Sequence, residues 1–270
     1  MTDRLSSDTQ KTFVFDLDGV VYLDKEGVPG AGETLTGLRD AGHQVLFATN
    51  NSARAAETVV ENITRRTGFA PDPGSVITSG MAAANLLKDS DETCFILGSD
   101  ELAATMSDAG IELTTDPAEA TAVVVGLDLR LSYERLTRAV VAIGGGARFI
   151  ATNDDPTYPM PNARYPGAGS IVAAVERATG ETPIVCGKPN EPMRRLIEQK
   201  IEHDEVWMVG DRPDTDLALG AVAGWGKVLV LSGVTDHDDS LPADLEPDHT
   251  IATIASLPEL LGPGHAENGG

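Results

Sequence analysis

The sequence predicts an α/β protein in which a parallel sheet lies between layers of helices and a second α/β unit is inserted into the first. Short apolar segments alternate with amphipathic ones along most of the chain, which is the pattern of β-α-β units. Several apolar segments end in polar clusters, as strands do at the carboxyl edge of a parallel sheet. The alternation starts afresh between Gly80 and Gly187. We therefore expect a discontinuous core of residues 1–79 and 187–270, with residues 80–186 as the insert.

The segment from Thr12 to Val21, TFVFDLDGVV, begins the predicted core. Phe13 to Phe15 are aromatic or β-branched and predict a central parallel strand that ends on Asp16 and Asp18. Two carboxylates this close repel each other unless a cation neutralises them, and carboxylate oxygens suit Mg2+. Asp and Gly also favour ordinary turns, so this motif alone leaves a site and a turn open.

A second predicted strand also ends in polar residues. The segment 44–48 is apolar, and the cluster from Thr49 to Ser52 (TNNS) separates it from a predicted helix over 53–66. A hydroxyl and backbone N–H groups at a helix start suit an anion, whereas capping of the helix by Asn51 or Ser52 is the simpler alternative. The other core elements predicted before the insert are a helix over 31–41 and a strand over 75–79, which leads into a helix over 81–87 at the start of the insert.

The insert repeats the alternation of strands and helices. We expect strands over 93–97, 122–126 and 148–151, and helices over 101–108, 133–143 and 170–178.

The core resumes at Gly187 with more charged residues at element ends. Lys188 precedes Pro189, which is well suited to opening a helix that reaches about residue 201. A strand over 206–209 then ends in GDRPDTD, which contributes Asp211 and Asp216. The remaining predicted elements are a helix over 217–222, strands over 227–231 and 250–254, and a frayed tail over 262–270.

The composition argues against several classes of partner. The 270 residues carry 42 acidic and 20 basic side chains, a formal charge of -22, so we expect no binding to nucleic acid or an anionic membrane. No apolar run approaches the roughly 18 residues that span a bilayer, and no signal pattern is present, so we expect a soluble, cytoplasmic protein. The acid excess is spread along the chain, which favours a halophilic protein over an ordinary acidic one. The two cysteines predict buried thiols, and the five scattered histidines predict surface or loop positions.

The four polar clusters share one location in the predicted fold. All follow strands or open helices, so in a parallel sheet they meet at one edge. Together they supply a nucleophilic carboxylate, a second carboxylate, a hydroxyl, an ammonium group and further carboxylates for a metal. Phosphoryl transfer asks a protein mainly to position the substrate and stabilise charge, so this set predicts a phosphoryl-transfer site.

The four motifs resemble those of the haloacid dehalogenase superfamily of phosphatases. The matching segments are DLDGV at 16–20, TNNS at 49–52, GKP at 187–189 and GDRPDTD at 210–216. In addition, ATNDDPTYP at 151–159 and PGAGSIVAAVE at 166–176 are similar to the cap of the 4-nitrophenylphosphatase and sugar-phosphatase (NagD-like) branch. The resemblance implies a three-layer Rossmann-like core with an α/β cap inserted after its third strand. It also implies a Mg2+ cofactor and a small phosphate ester as substrate.

The resemblance implies roles for the acidic residues. Asp16 is the implied nucleophile, which forms an aspartyl-phosphate, and Asp18 is the implied general acid and base. The implied Mg2+ ligands are Asp16, the backbone carbonyl of Asp18 and Asp211, with Asp216 supporting the site. Dehalogenases and ion-pumping ATPases lack the acid at the position of Asp18, so the resemblance favours a phosphate monoesterase.

The resemblance further implies that Thr49 and Lys188 hold the phosphoryl group. Asn50 is a further candidate phosphate contact, with shaping of the loop as its alternative role. A phosphomutase would use the same aspartates, and a catalytically silent binding module is the alternative from a different class.

The cap loop implied by the resemblance carries the predicted specificity residues. Asn153, Asp155 and Tyr158 are expected to reach the leaving group, with packing as the alternative role of Tyr158. Because caps of this branch often provide dimer contacts, the resemblance also makes a homodimer an expectation.

Overall fold

The computed structural model describes residues 9–160, 163–233, 235 and 241–261, so the tail predicted over 262–270 lies outside it. The strands, in chain order, are β1 Lys11–Phe15, β2 Tyr22–Leu23, β3 Glu26–Gly27, β4 Gln44–Thr49, β5 Val76–Thr78, β6 Thr93–Leu97, β7 Glu112–Thr114, β8 Ala122–Val125, β9 Arg148–Ala151, β10 Thr157–Met160, β11 Ala163–Pro166, β12 Ile184–Val185, β13 Glu205–Gly210, β14 Gly226–Val230 and β15 His249–Ile251. The helices are α1 Ala31–Asp40, α2 Ala56–Thr67, α3 Ser79–Leu87, α4 Asp100–Asp108, α5 Tyr133–Gly144, α6 Ala168–Thr179, α7 Glu191–Glu198, α8 Ala218–Ala223 and α9 Leu257–Leu261.

The strand predicted at the centre of the core is central in the structure. The six-stranded sheet has the order β15-β14-β13-β1-β4-β5, and β1 pairs in parallel with both β4 and β13. Phe13, Val14 and Phe15 are all 0% exposed, because both faces and both edges of β1 are covered. Phe15 lies opposite Phe47 on one neighbour and Val209 on the other, which brings the carboxyl ends of three strands to one edge.

The described contacts divide the chain into two compact units. The first comprises residues 9–48, 57–76 and the described residues from 197 onward, and the second comprises residues 49–56 and 77–196. The second unit has its own parallel sheet of five strands in the order β12-β9-β8-β6-β7. The predicted α/β class, with parallel sheets and helices between the strands, is confirmed. The domain boundaries near Gly80 and Gly187 stay a prediction.

The strands of the second unit are apolar because they form its hydrophobic core. Buried residues from β6, β8 and β9 pack against apolar residues of α5 and α6 in one cluster. At about 25 cal/mol per Å2 of apolar surface removed from water, such packing is the main driving force for this sheet. No helix in the described part of the chain combines the length and apolar character that a bilayer crossing needs.

Several element ends differ from the prediction. The helix expected over 53–66 begins at Ala56, and the one expected from Pro189 begins at Glu191. In the preceding loops, Asn51 Oδ1 accepts from the Ala53 N–H and Asn190 Nδ2 donates to the Gly187 carbonyl, so these asparagines form local turns outside the helices. The strand expected over 250–254 is β15, and it gives way to a 3-10 turn at Ile254–Ser256. The short hairpins β2–β3 and β10–β11 were not predicted, since strands of two to four residues leave little periodic signal.

The buried polar and thiol groups partly follow the prediction. Cys94 and Cys186 are free and buried, as predicted, and burial raises the pKa of Cys94 to about 11 and that of Cys186 to about 12. His43 lies in the loop between α1 and β4, as predicted, but it is not at the surface. This residue is 6% exposed, and its Nδ1 accepts a 3.1 Å hydrogen bond from the backbone N–H of Lys11.

Candidate active site

Three carboxylates of the first unit come together at the carboxyl edge of its sheet. Asp16 follows β1, Asp211 follows β13, and Asp216 lies in the π-helical turn Pro213–Leu217. An oxygen of each carboxylate lies within 4.8 Å of the others. Asp211 is 1% exposed and Asp216 is 0% exposed, and clustered buried carboxylates are costly unless a cation compensates them. An all-oxygen donor set of this kind fits a hard divalent cation.

Three glycines allow the backbone to approach these carboxylates. A Cβ added at Gly233 would lie 1.9 Å from Asp211 Oδ2, and one at Gly210 would lie 2.2 Å from Asp216 Cβ. At Gly19 the added Cβ would lie 2.5 Å from Asp211 Oδ2, and the φ of +94° also favours glycine. A side chain at any of these three glycines would therefore enter the space that the carboxylates occupy.

Asp18 stands in a different environment from the carboxylate group. It is exposed, whereas Asp16 is half-buried and Leu17 between them is fully buried. The next residues turn sharply, with the Gly19 N–H donating to the Tyr22 carbonyl at 2.9 Å. Burial first, and then the charge of Asp18, raise the pKa of Tyr22 far above its usual value. The exposed position of Asp18 suits a group that exchanges protons with solvent and substrate.

The polar cluster after β4 belongs to the second unit. Thr49 is the last residue of β4, and its Oγ1 accepts a hydrogen bond from the Asn51 N–H at 3.1 Å. Asn51 Oδ1 in turn accepts from the Ala53 N–H at 2.9 Å, and Ser52 Oγ lies 2.9 Å from Thr152 Oγ1. Asn51 therefore forms a side-chain turn over 51–53, which ends three residues before α2 begins at Ala56.

Two of the residues predicted to bind phosphate contact each other. Lys188 is 2% exposed, and its backbone N–H donates to Asn50 Oδ1 at 2.7 Å. Asn50 Nδ2 donates back to the Lys188 carbonyl at 3.3 Å. A Cβ on Gly187 would lie 2.6 Å from Asn50 Oδ1, so glycine is required for this approach. The amide of Asn50 is thus engaged by the lysine backbone.

The predicted specificity residues lie in and after the loop that follows β9. Asn153 is 5% exposed, with its Nδ2 donating to the Asn50 carbonyl at 2.6 Å and its Oδ1 accepting from the Asp155 N–H at 3.2 Å. Asp155 and Tyr158 are partly exposed, and Tyr158 pairs across the β10–β11 hairpin with Tyr165. Asn153 therefore shapes the loop, whereas Asp155 and Tyr158 present accessible side chains. Contact of Asn153, Asp155 or Tyr158 with a substrate stays a prediction.

Several supporting residues were not found from the sequence. Ser79 Oγ donates to the Asn50 carbonyl, Ser232 Oγ to the Gly19 carbonyl and Thr235 Oγ1 to the Asp211 carbonyl, each at 2.6 Å. Isolated hydroxyl residues are too common for a local pattern to mark them. One signal was available for the second unit: β4 and β9 both run into the same tripeptide, Ala-Thr-Asn, at 48–50 and 151–153.

Two family comparisons match separate parts of the chain. Residues 13–112 match the family described as haloacid dehalogenase-like hydrolase, and residues 185–257 match a second family of HAD-like hydrolases. The first match contains the motifs of Asp16 and Thr49, and the second contains those of Lys188 and Asp211.

Named relatives and solved structures align over nearly the whole chain. The acid sugar phosphatase of Staphylococcus haemolyticus is 33% identical over 250 residues, covering 90% of this chain and 94% of the relative. The 4-nitrophenylphosphatase structure from Thermotoga maritima has a TM-score of 0.87 at 33% identity, covering 95% of this chain and 99% of that one. A glycerol phosphate phosphatase from Mycobacterium tuberculosis, solved in complex with magnesium, has a TM-score of 0.84 at 30% identity, covering 94% of this chain and 78% of that one.

Proposed function

Because this chain belongs to the haloacid dehalogenase-like hydrolases, in the branch of 4-nitrophenylphosphatases and NagD-like sugar phosphatases, we propose that it is a Mg2+-dependent phosphatase of small phosphate monoesters. The observation that carries the proposal is the group formed by Asp16, Asp211 and Asp216, whose oxygens lie within 4.8 Å of one another. The exposed carboxylate of Asp18 two residues after Asp16 completes the acid set.

Mg2+ is the cation that we propose for the carboxylate group. Asp16, Asp211 and the backbone carbonyl of Asp18 would hold it, with Asp216 supporting the site. Asp216 is suited to support because its Oδ2 accepts the Arg212 N–H at 3.1 Å, which ties the carboxylate to the loop that carries Asp211. When bound, the ion offsets the negative charge of the phosphoryl group and of the nucleophile.

The two aspartates divide the covalent chemistry. A carboxylate oxygen of Asp16 attacks phosphorus and the ester P–O bond breaks, while Asp18 gives its proton to the leaving alcohol. In the second half, Asp18 takes a proton from water, whose oxygen attacks phosphorus and breaks the bond to Asp16. The sum is ester plus water to alcohol plus phosphate, and one acid-base residue serves both halves.

Thr49 and Lys188 are the proposed holders of the phosphoryl group. Thr49 supplies a hydroxyl at the end of a strand, and Lys188 supplies an ammonium group from a loop fixed by hydrogen bonds to its backbone. Selectivity among alcohols is proposed to come from Asp155 and Tyr158, because their side chains are accessible. Asn153 is proposed to act on selectivity by shaping the loop that carries them.

The test is release of inorganic phosphate from a panel of sugar, glycerol and aryl phosphates with and without Mg2+. We expect Mg2+-dependent release, and no release by Asp16→Asn, which keeps the size of the side chain. A phosphomutase would isomerise a sugar phosphate without releasing phosphate, and a silent binding module would fail to turn over even 4-nitrophenyl phosphate. Either result would replace the proposal.

Self-association and cellular setting are further parts of the proposal. A homodimer is supported by apolar side chains on the second unit that solvent reaches, since Leu129 is 75%, Tyr133 86% and Val141 56% exposed. Sedimentation equilibrium of the wild type and of Tyr133→Glu tests it. We also propose that the protein works in the cytoplasm of a high-salt cell and does not bind nucleic acid. The net charge of -22 supports the high-salt setting and the absence of nucleic-acid binding.

A further inference from the structure

Asn50 is a junction of four hydrogen bonds in the second unit. Its side chain exchanges two bonds with the backbone of Lys188, at 2.7 and 3.3 Å. Its own carbonyl accepts from Ser79 Oγ at 2.6 Å and from Asn153 Nδ2 at 2.6 Å. The residue is 8% exposed, so these bonds form where water does not replace them.

The reciprocal pair with Lys188 requires an amide side chain. An amide presents one donor and one acceptor side by side, which matches the N–H and C=O of a single peptide residue. A carboxylate lacks the donor, and a serine hydroxyl is too short to reach both groups. Lysine carries its charge on a flexible four-carbon stem, so a fixed backbone narrows the volume that the ammonium group explores.

We propose that Asn50 acts on the phosphoryl group through Lys188, as a positioning residue, and that it is not itself a phosphate ligand through its side chain. The proposal rests on the proposed function and deepens it. Both polar atoms of the Asn50 amide are engaged by the backbone of Lys188, and the ammonium group of that lysine is the charge that the proposed function assigns to the substrate. Because Asn153 bonds to the same residue, the loop that carries Asp155 is joined to the loop that positions Lys188.

A double-mutant cycle on 4-nitrophenyl phosphate tests this relation. We expect Asn50→Ala to lower kcat/KM by roughly 10- to 100-fold, mainly through KM, because a misplacement of about 1 Å costs up to that much. In a Lys188→Ala background the same change should cost less than about twofold, since the group being positioned is gone. A loss of equal size in both backgrounds would mean that Asn50 contacts phosphate directly and would overturn the proposal.

Asn51→Ala is the matched control. This neighbouring asparagine accepts from the Ala53 N–H at 2.9 Å and shapes the same loop without a described bond to Lys188. Its effect should therefore be equal in the wild-type and Lys188→Ala backgrounds. If Asn51 couples to Lys188 as strongly as Asn50 does, the coupling reports general loop damage and the proposal fails.

A binding readout separates this proposal from the proposed function. In Asp16→Asn protein with Mg2+, the rise in thermal midpoint on adding inorganic phosphate measures binding without turnover. Asn50→Ala should diminish that rise, and an undiminished rise would contradict positioning even if the enzyme proves to be a phosphatase. If Asn50→Ala does not fold, Asn50→Ser keeps a small polar side chain in the buried loop and enters the same cycle with the same expectation. Absence of turnover in the wild type would instead count against the proposed function.

Discussion

Substitution of Gly19 by alanine should damage the metal site more than it damages the fold. Alanine at a φ of +94° costs about 1–2 kcal/mol of backbone strain. The new Cβ would also lie 2.5 Å from Asp211 Oδ2, where ordinary contacts begin near 3.4 Å, so the carboxylate must move by about 1 Å. A displacement of that size costs roughly 10²-fold in rate, or about 2.7 kcal/mol.

Gly68→Ala is the matched control for strain. Gly68 lies in the same unit with a φ of +77°, and an added Cβ meets no described atom within 4 Å. Urea unfolding should show similar losses of stability for both variants, whereas kcat/KM and the Mg2+ concentration for half-maximal rate should change in Gly19→Ala alone. Wild-type rate and Mg2+ dependence in a folded Gly19→Ala protein would refute the placement of the metal site at Asp211.

Three further predictions concern specificity, salt and pH. Tyr158→Ala should reorder kcat/KM among a panel of esters, and an equal loss on all of them or an unchanged order would show that the hairpin does not select substrates. The thermal midpoint should rise with KCl concentration, because the net charge of -22 means that the acidic side chains repel one another, and the screening length falls from about 10 Å at 0.1 M salt to about 3 Å at 1 M. A thermal midpoint that does not change with KCl concentration would contradict the halophilic interpretation. Burial of Glu205 acts to raise its pKa, but hydrogen bonds from Lys11, Trp207 and Thr9 outweigh burial and lower it. The ionised carboxylate therefore stabilises the folded state at pH values above its unfolded pKa of about 4.3. This stabilisation is lost as the pH falls through the lower pKa of the folded state. Glu205→Gln should therefore lower the free energy of unfolding at pH 7 and approach the wild type in acid, and an equal difference at pH 7 and pH 3 would contradict the assignment.

The sequence predicts the parts of this molecule that have a local pattern. The apolar composition of residues 13–15 predicts that they are buried. Asp16 and Asp211 each follow an apolar strand, which predicts their position at the carboxyl edge of the sheet. The match of all four motifs to one family then assigns roles to individual residues, which no single motif does. Both the α/β class and the family are confirmed on this basis.

Pairings between distant residues could not be predicted in the same way. Asn50 meets Lys188 across 138 positions and Asn153 across 103 positions, and nothing local distinguishes these asparagines from turn residues. Lys11 is 0% exposed although lysine is normally a surface residue, since Glu205 supplies a 2.9 Å ion pair from the neighbouring strand. The polar groups of such residues are paired with partners that come close only in the folded chain.

In the proposed mechanism, Asp16 carries the phosphoryl group and Asp18 moves the protons. In Asp18→Asn, activated 4-nitrophenyl phosphate needs little protonation of its leaving group, so the first step should still proceed. No base then activates water, a contribution of typically 10²- to 10⁴-fold, and the aspartyl-phosphate should accumulate. Rapid acid quench and mass spectrometry should find one added phosphoryl group on the peptide that contains Asp16. The phosphoryl group on another residue, or turnover by Asp16→Asn, would contradict the account.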